Sequence, residues 1–320
     1  MAKRAGERRP AGPARGLLHG AMPIGRNEHF RVLPPEELSP FVAHFWSVSW
    51  ALQSPFTAET LPHPSAHVVF EEHGGEWRAE VTGVHTARFS KRLVGEGRVF
   101  GVKFRPAMLQ PFVCASMATL TDRVVPIDAV FGAPGEALAR AIRLEADFDA
   151  RMGLTRAFLV RRIPTVQAEV ACVRDLVERL AVDRSLLRVE DVADAAGLDV
   201  RALQRSFRRH VGVSPKWVIQ RYRLHEAAEQ LRTEPSMSLA ILAASLGYAD
   251  QAHFSRDFRR MVGRTPRGFA QRTAPVITRN TRRPISDIPK SGLSHYSSRA
   301  GHRPGDPTPG RVPLTGVRRS

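Results

Sequence analysis

Cysteine is nearly absent from this sequence: Cys114 and Cys172 are the only two in 320 residues. Two thiols cannot build a disulfide framework, and so low a usage fits a reducing compartment. Long apolar runs are missing as well. No stretch approaches the ~20 residues that a membrane-spanning helix needs, so no membrane association is expected. The N-terminus, Met1-Ala-Lys-Arg-Ala-Gly-Glu-Arg-Arg-Pro10, is basic, but no apolar segment follows it, which argues against a secretory signal. Acidic residues are in short supply: 31 Asp+Glu face 48 Lys+Arg, a formal net charge of +17. Such a surplus favours an acidic polymer as partner, nucleic acid or an anionic surface, without choosing between them. What is present in ordinary amount is hydrophobic residues, at 42% enough for packed cores. The length allows two domains and tails.

The charge is unevenly placed. Residues 1–27 carry a net +5, 28–185 a net −1, 186–273 a net +6 and 274–320 a net +7. Both ends are rich in Arg, Gly and Pro, and such composition buries too little apolar surface to offset chain entropy. Residues 1–27 and 274–320 therefore read as disordered basic tails, and Met22 is an alternative start.

Residues 28–150 read as a strand-rich domain. His67-Val-Val-Phe-Glu, Glu80-Val-Thr-Gly-Val-His and Arg98-Val-Phe-Gly-Val-Lys-Phe alternate β-branched or aromatic residues with polar ones between glycines. Residues 107–118 look helical, although Pro111 disturbs them. Val166, Val170, Val173, Leu176, Val177 and Leu180 recur at three and four, the apolar stripe of a helix within a helical linker over 151–185. His63-Pro-Ser-Ala-His67 invites a metal reading. Pro64 and the following Val68-Val69-Phe70 favour extended chain, however, which sets residues four apart at ~13 Å, too far for one ion. Phe41, Phe45, Trp46, Trp50, Phe70 and Trp77 read as core aromatics, and Cys114 as a small core residue.

The strongest feature is a repeat. Phe207-Arg-Arg-His-Val-Gly-Val-Ser-Pro215 returns 51 residues later as Phe258-Arg-Arg-Met-Val-Gly-Arg-Thr-Pro266, and Val192-Ala193…Ala196-Gly197-Leu198 echoes Leu242-Ala243…Leu246-Gly247-Tyr248. Two copies of one supersecondary unit are implied. Each copy has the grammar of a helix-turn-helix: a short helix (Val189 to Ala196; Leu239 to Leu246), a glycine able to take the left-handed turn, and an aspartate (Asp199; Asp250) able to cap the next helix. The second helix of each unit turns Leu203 and Phe207, or Phe254 and Phe258, inward. Its outward face carries Arg201, Gln204 and Arg205, or Gln251, Ala252, Ser255 and Arg256. Arg matches guanine and Gln matches adenine in the major groove. Arg208, Arg209, Arg259 and Arg260, near the helix ends, suit phosphate contacts, as does Ser255. Between the units, residues 215–231 make a helix of ~24 Å that can hold two reading helices near the ~34 Å spacing of successive grooves.

These residues resemble the AraC/XylS family of bacterial transcription regulators, through Val189-Glu-Asp-Val-Ala, Leu203-Gln-Arg-x-Phe-Arg-Arg, Gly212-Val-Ser-Pro, Arg223-Leu, Leu242-Ala-x-x-Leu-Gly-Tyr and Phe254-Ser-Arg-x-Phe-Arg-Arg. The resemblance implies seven helices with two helix-turn-helix motifs over 186–273, and base reading by Arg201, Gln204, Arg205, Gln251, Ala252 and Arg256. It further implies an N-terminal sensor or dimerisation domain of β-barrel or cupin type, recruitment of RNA polymerase as an activator, a small-molecule effector, homodimerisation and a cytoplasmic, nucleoid-associated location. The fold class expected is multidomain α+β. No cofactor, bound metal or enzymatic activity is expected, since neither a nucleophile–base pair nor a phosphate loop stands out in 28–185. The rival readings are an enzyme-like or metal-binding N-terminal domain fused to the DNA-binding module, and a purely dimerising one.

Overall fold

The computed structural model of the chain describes residues 10, 11, 18 and 25–273. The alternation seen in the sequence becomes eight antiparallel strands: β1 Gly25–Val32, β2 Val42–Leu52, β3 Phe56–Thr60, β4 His67–His73, β5 Glu76–Thr82, β6 Phe89–Leu93, β7 Glu96–Phe104 and β8 Val124–Pro126. Six form one sheet in the order β1-β2-β7-β4-β5-β8, while β3 and β6 pair separately. The β-barrel expectation is corrected here. Among the described residues the ladder stays open, with edges at β1 and β8, and the small sheet packs on the large one through Trp50, Leu52, Leu93 and Phe56.

One face of the large sheet is apolar. Phe45, Phe70, Phe100, Val102 and Phe104 are fully buried and pack toward α2 Ile127–Leu144 and α3 Phe148–Val160, with Phe148 edge-on to Phe100. At roughly 2 kcal/mol for each large side chain, this layer dominates the stability of the N-terminal half. The opposite face is mixed. A bulge between Val42 and His44 turns His44 onto it, opposite Lys103, which also pairs with His67.

The helix expected over 107–118 is reduced to α1 Gln110–Val113. Pro111 sits in its first turn, where proline is tolerated, and the left-handed Cys114 (φ 51°) ends it. Cys114 is exposed, not the core residue expected from its apolar neighbours. Seven helices follow: α4 Ala168–Leu180, α5 Val189–Ala196, α6 Val200–His210, α7 Pro215–Thr233, α8 Leu239–Ser245, α9 Gln251–Val262 and α10 Pro266–Thr273.

Two domain boundaries shift. α4 is not a free linker, because Val170, Val173, Leu176, Val177 and Leu180 bury against the first helix-turn-helix, and the seven-helix domain begins at Ala168 rather than 186. At the other end, β1 starts at Gly25, Pro10 bridges Val32, and Leu18 is buried with its amide on the Glu59 carbonyl (3.0 Å). These residues of the expected N-terminal tail are therefore placed against the sheets. The rest of that tail with Met22, and all of 274–320, lie outside the described residues.

Candidate nucleic-acid interface

Each reading helix is set by the same three local devices. In the first unit α5 ends at Gly197 (φ 64°), whose left-handed turn lets the Leu198 amide reach back to the Ala193 carbonyl (3.0 Å). Asp199 then caps α6, accepting from the Ala202 amide (2.8 Å). In the second unit Gly247 (φ 72°) makes the turn, the Tyr248 amide donates to the Ala243 carbonyl (3.0 Å), and Asp250 accepts from the His253 amide (2.7 Å). That bond holds the Asp250 carboxyl below its ordinary value. Leu203, Phe207, Phe254 and Phe258 are fully buried, which fixes the roll of both helices.

The opposite faces are open. Arg201, Gln204, Arg205, Arg208 and Arg209 on α6, and Gln251, Ala252, Arg256, Arg259 and Arg260 on α9, are exposed. Arg201, Arg205 and Arg208 follow at i, i+4 and i+7, one stripe of the helix. Ser255 is half-buried. Arg260 is held by the buried Asp257 (2.8 Å), so its charge is shared. The remaining arginines, Arg201, Arg205, Arg208, Arg209, Arg256 and Arg259, have no carboxylate in ion-pair range among the described residues. Several arginines elsewhere are paired, as in Arg98–Glu72, Arg105–Glu178 and Arg156–Glu37. Unpaired guanidiniums on two matching faces leave strong donors for phosphate or base edges.

α7 joins the units. Ser214 caps it by accepting from the Trp217 amide (3.2 Å), and Pro215 occupies its first turn. Its 19 residues span ~28 Å. Arg223 ties it to the first unit by donating to the Leu187 carbonyl. Arg221 is fully buried, lies over the Trp217 ring at 4.6 Å and donates to the Thr86 carbonyl (3.0 Å). Burial lowers its pKa to about 9.

The N-terminal region grips both units at residues the sequence did not single out. Thr121 donates to the Gly212 carbonyl just past α6 (2.7 Å), and Gln110 meets the buried His210 ring (3.3 Å). Arg88 donates to the Val262 carbonyl that ends α9 (3.1 Å) and pairs with Glu59 (2.9 Å), which also holds Arg264 (2.9 Å). Within the seven-helix domain, Glu169 of α4 accepts from Ser206 (2.7 Å) and lies 3.2 Å from His210 Nε2. No local pattern marks such contacts, since their partners stand as many as 205 residues apart.

His63 and His67 do not converge on an ion. His67 lies in β4 beside Trp46, while His63 precedes that strand and faces Tyr222 and His225 of α7. No group of three His, Cys, Asp or Glu among the described residues is placed to hold a metal. No helix among them is long and apolar enough to cross a membrane.

Comparison with known proteins shows likenesses over two parts of the chain. Residues 192–272 match a helix-turn-helix domain, and residues 30–126 match a domain of unknown function (DUF6597). The transcriptional activator RhaS of Escherichia fergusonii is 39% identical over 82 residues, 26% of this chain and 29% of that protein. The chain thus matches well under half the length of its curated relative. A probable AraC family regulator from Rhodopseudomonas palustris is 29% identical, with 32% of this chain and 98% of that one covered at a TM-score of 0.29. ToxT from Vibrio cholerae covers 78% of this chain and 98% of its own at 10% identity and a TM-score of 0.38. The likeness lies in the helix-turn-helix domain, and it supports an AraC/XylS-type transcription regulator.

Proposed function

We propose that the protein is a sequence-specific DNA-binding transcription regulator that reads two successive major-groove segments with α6 and α9. The observation that carries this reading is the duplicated exposed face of unpaired arginines, each on a helix fixed by a glycine turn, an aspartate cap and a buried apolar pair. Arg201, Gln204 and Arg205, with Gln251, Ala252 and Arg256, are the base-reading set. Arg208, Arg209, Arg259, Arg260 and Ser255 contact phosphate, with Arg260 contributing least because Asp257 shares its charge. The protein acts as an activator with RNA polymerase, on nucleoid DNA in the bacterial cytoplasm, and has no enzymatic role. Its N-terminal domain responds to a small-molecule effector and supports a homodimer.

The test uses the duplex that the full-length protein selects from a random library. Arg205→Ala should weaken binding to that duplex by about 1–3 kcal/mol and relax preference at one base pair. Arg209→Ala should weaken selected and random duplexes alike and flatten the salt dependence by about one counterion. Equal loss on both duplexes for both variants would remove the base-reading assignment.

A further inference from the structure

The N-terminal domain meets the two reading units at equivalent places. Gly212 and Gly263 stand 51 residues apart, the same position just past α6 and α9 in the two copies of the repeat. Both have a positive φ (98° and 80°), and the N-terminal domain presses on both. Thr121 donates to the Gly212 carbonyl (2.7 Å), and a Cβ at Gly212 would stand 2.6 Å from its hydroxyl oxygen. Arg88 donates to the Val262 carbonyl (3.1 Å), and a Cβ at Gly263 would run into its guanidinium.

The two gripping residues belong to one body. Residues 84–88, between β5 and β6, are tied to residues 117–123, between α1 and β8. The Asp122 carboxylate accepts from the Thr86 amide and from the Thr86 hydroxyl (2.6 Å each), and the Asp122 amide donates to the Val84 carbonyl (3.0 Å). The Thr86 carbonyl in turn takes Arg221 Nη2 from the middle of α7. Nε and Nη1 of this fully buried guanidinium have no hydrogen-bond partner among the described residues, so losing the Thr86 contact would strand the whole charge. Three points are therefore held at once: the end of α6, the middle of α7 and the end of α9.

The apolar packing of α7 changes hands at Arg221. Val218 and Ile219 belong to the core shared by the sheet and the first unit, whereas Leu224, Ala227, Ala228 and Leu231 belong to that of the second. Each unit thus packs on its own stretch of α7, and the polar contacts of residues 84–88 and 117–123 span the two. Linked modules engage two sites together only where the link matches their separation, and a stiff link narrows the separations accepted.

We propose that residues 84–88 and 117–123 form a bracket that fixes the pitch between α6 and α9, so that Thr121, Arg88 and Asp122 are positioning residues that set the separation of the two DNA segments the protein accepts. The inference rests on the two-segment reading proposed above and goes beyond it, because it makes spacing a property of the N-terminal domain as well as of α7.

Two measurements on the full-length protein test it. The first compares affinity for the selected duplex, for that duplex with one base pair inserted between its two segments, and for duplexes carrying one segment alone. One inserted pair turns the second segment by about 35° and moves it by ~3.4 Å. The parent should lose about ten-fold or more in affinity on insertion. In Thr121→Val/Arg88→Met the loss should shrink to about three-fold or less, with each single-segment duplex bound as by the parent. Thr121→Ser keeps the hydroxyl and should behave as the parent. If the double variant does not fold, Thr121→Val and Arg88→Met, each releasing one grip, should each reduce the insertion penalty part of the way. A penalty that survives release of the grips would show that α7 alone sets the spacing and overturn the proposal. Equal losses on every duplex, single-segment ones included, would overturn it as well, since they mark a general defect of the fold. The second measurement needs no DNA. Spin labels on cysteines introduced by Arg208→Cys and Arg259→Cys, in a chain carrying Cys114→Ser and Cys172→Ser, should give a narrow distribution of distances between α6 and α9 that broadens when the grips are released. An unchanged distribution would overturn the bracket. A distribution that broadens as expected in a protein that selects no two-segment duplex would fault the DNA reading and leave the bracket standing.

Discussion

A lysine amine placed among imidazoles and an arginine must leave a mark on stability. Burial, reinforced by Arg31, lowers the Lys103 pKa to about 7. Burial likewise lowers His44 to about 2 and His67 to about 3. Each is a base whose folded value lies below its unfolded one, so the unfolded chain holds the extra proton between the two values and stability rises with pH across that window. For Lys103 the window runs from about 7 up to the ordinary lysine value, and for His44 and His67 from about 2 and about 3 up to ~6.5. The urea midpoint of the free protein should therefore climb between pH 7 and 9 and fall steadily as pH drops below 6.5. Lys103→Met should flatten the upper climb and soften the acid limb, because the Lys103 charge also helps to hold His44 and His67 down. An unchanged climb in that variant would mean the amine is not buried in solution. None of this is written in local sequence. His44, His67 and Lys103 belong to three different strands, and the bulge before His44 decides which face it takes. The His63–His67 spacing, the pattern a reader notices, proves to be the uninformative one.

At the level of elements, the reading helices were legible because every device that sets them is local. A glycine, an aspartate two or three residues on and an apolar pair four apart fall within about a dozen residues of each other, and a second copy 51 residues away repeats the pattern. Asp199→Ala should remove the cap of α6 and cost about 1 kcal/mol, measurable as a lower denaturation midpoint. Asp199→Asn keeps an acceptor and should recover most of it. Asp250→Ala should act in the same direction on α9, with a parallel loss of affinity for the selected duplex because α9 frays where Gln251 and Ala252 begin. If either alanine variant is as stable as the parent, the cap bond does not support its helix. The helix over 107–118 failed as an expectation for the complementary reason. Pro111 is compatible with a helix start, but Cys114 turns left-handed and the chain leaves the helix after one turn.

For the molecule as a whole, packing ties the N-terminal sheets to the helices that follow. One apolar core runs from Val32 through the sheet and α2–α4 into α5, α6 and the first half of α7. A second joins Leu18 and Leu61 of the N-terminal region to the rest of α7 and to α8–α10. The long-range partners that build these cores are invisible to periodicity, which reports only which side of an element is apolar. Polar contacts follow the same path, and the buried Glu59 is their centre. It joins Arg88, which ends α9 through the Val262 carbonyl, to Arg264. Replacing Glu59 by Gln leaves two half-buried guanidiniums facing a neutral amide. The cost should be about 2 kcal/mol, below the full figure for breaking a buried pair because both arginines keep some contact with water. Since Arg88 and Arg264 bear on the second unit rather than the first, the loss should be local. Hydrogen exchange of α9 and α10 should accelerate at least ten-fold in Glu59→Gln while that of α4–α6 stays near the parent value. The parent should melt in a single calorimetric transition because its cores cross the boundary between the halves. Two separate transitions in the parent, or equal acceleration in both units of the variant, would show that the sheets do not hold the second reading helix through Glu59.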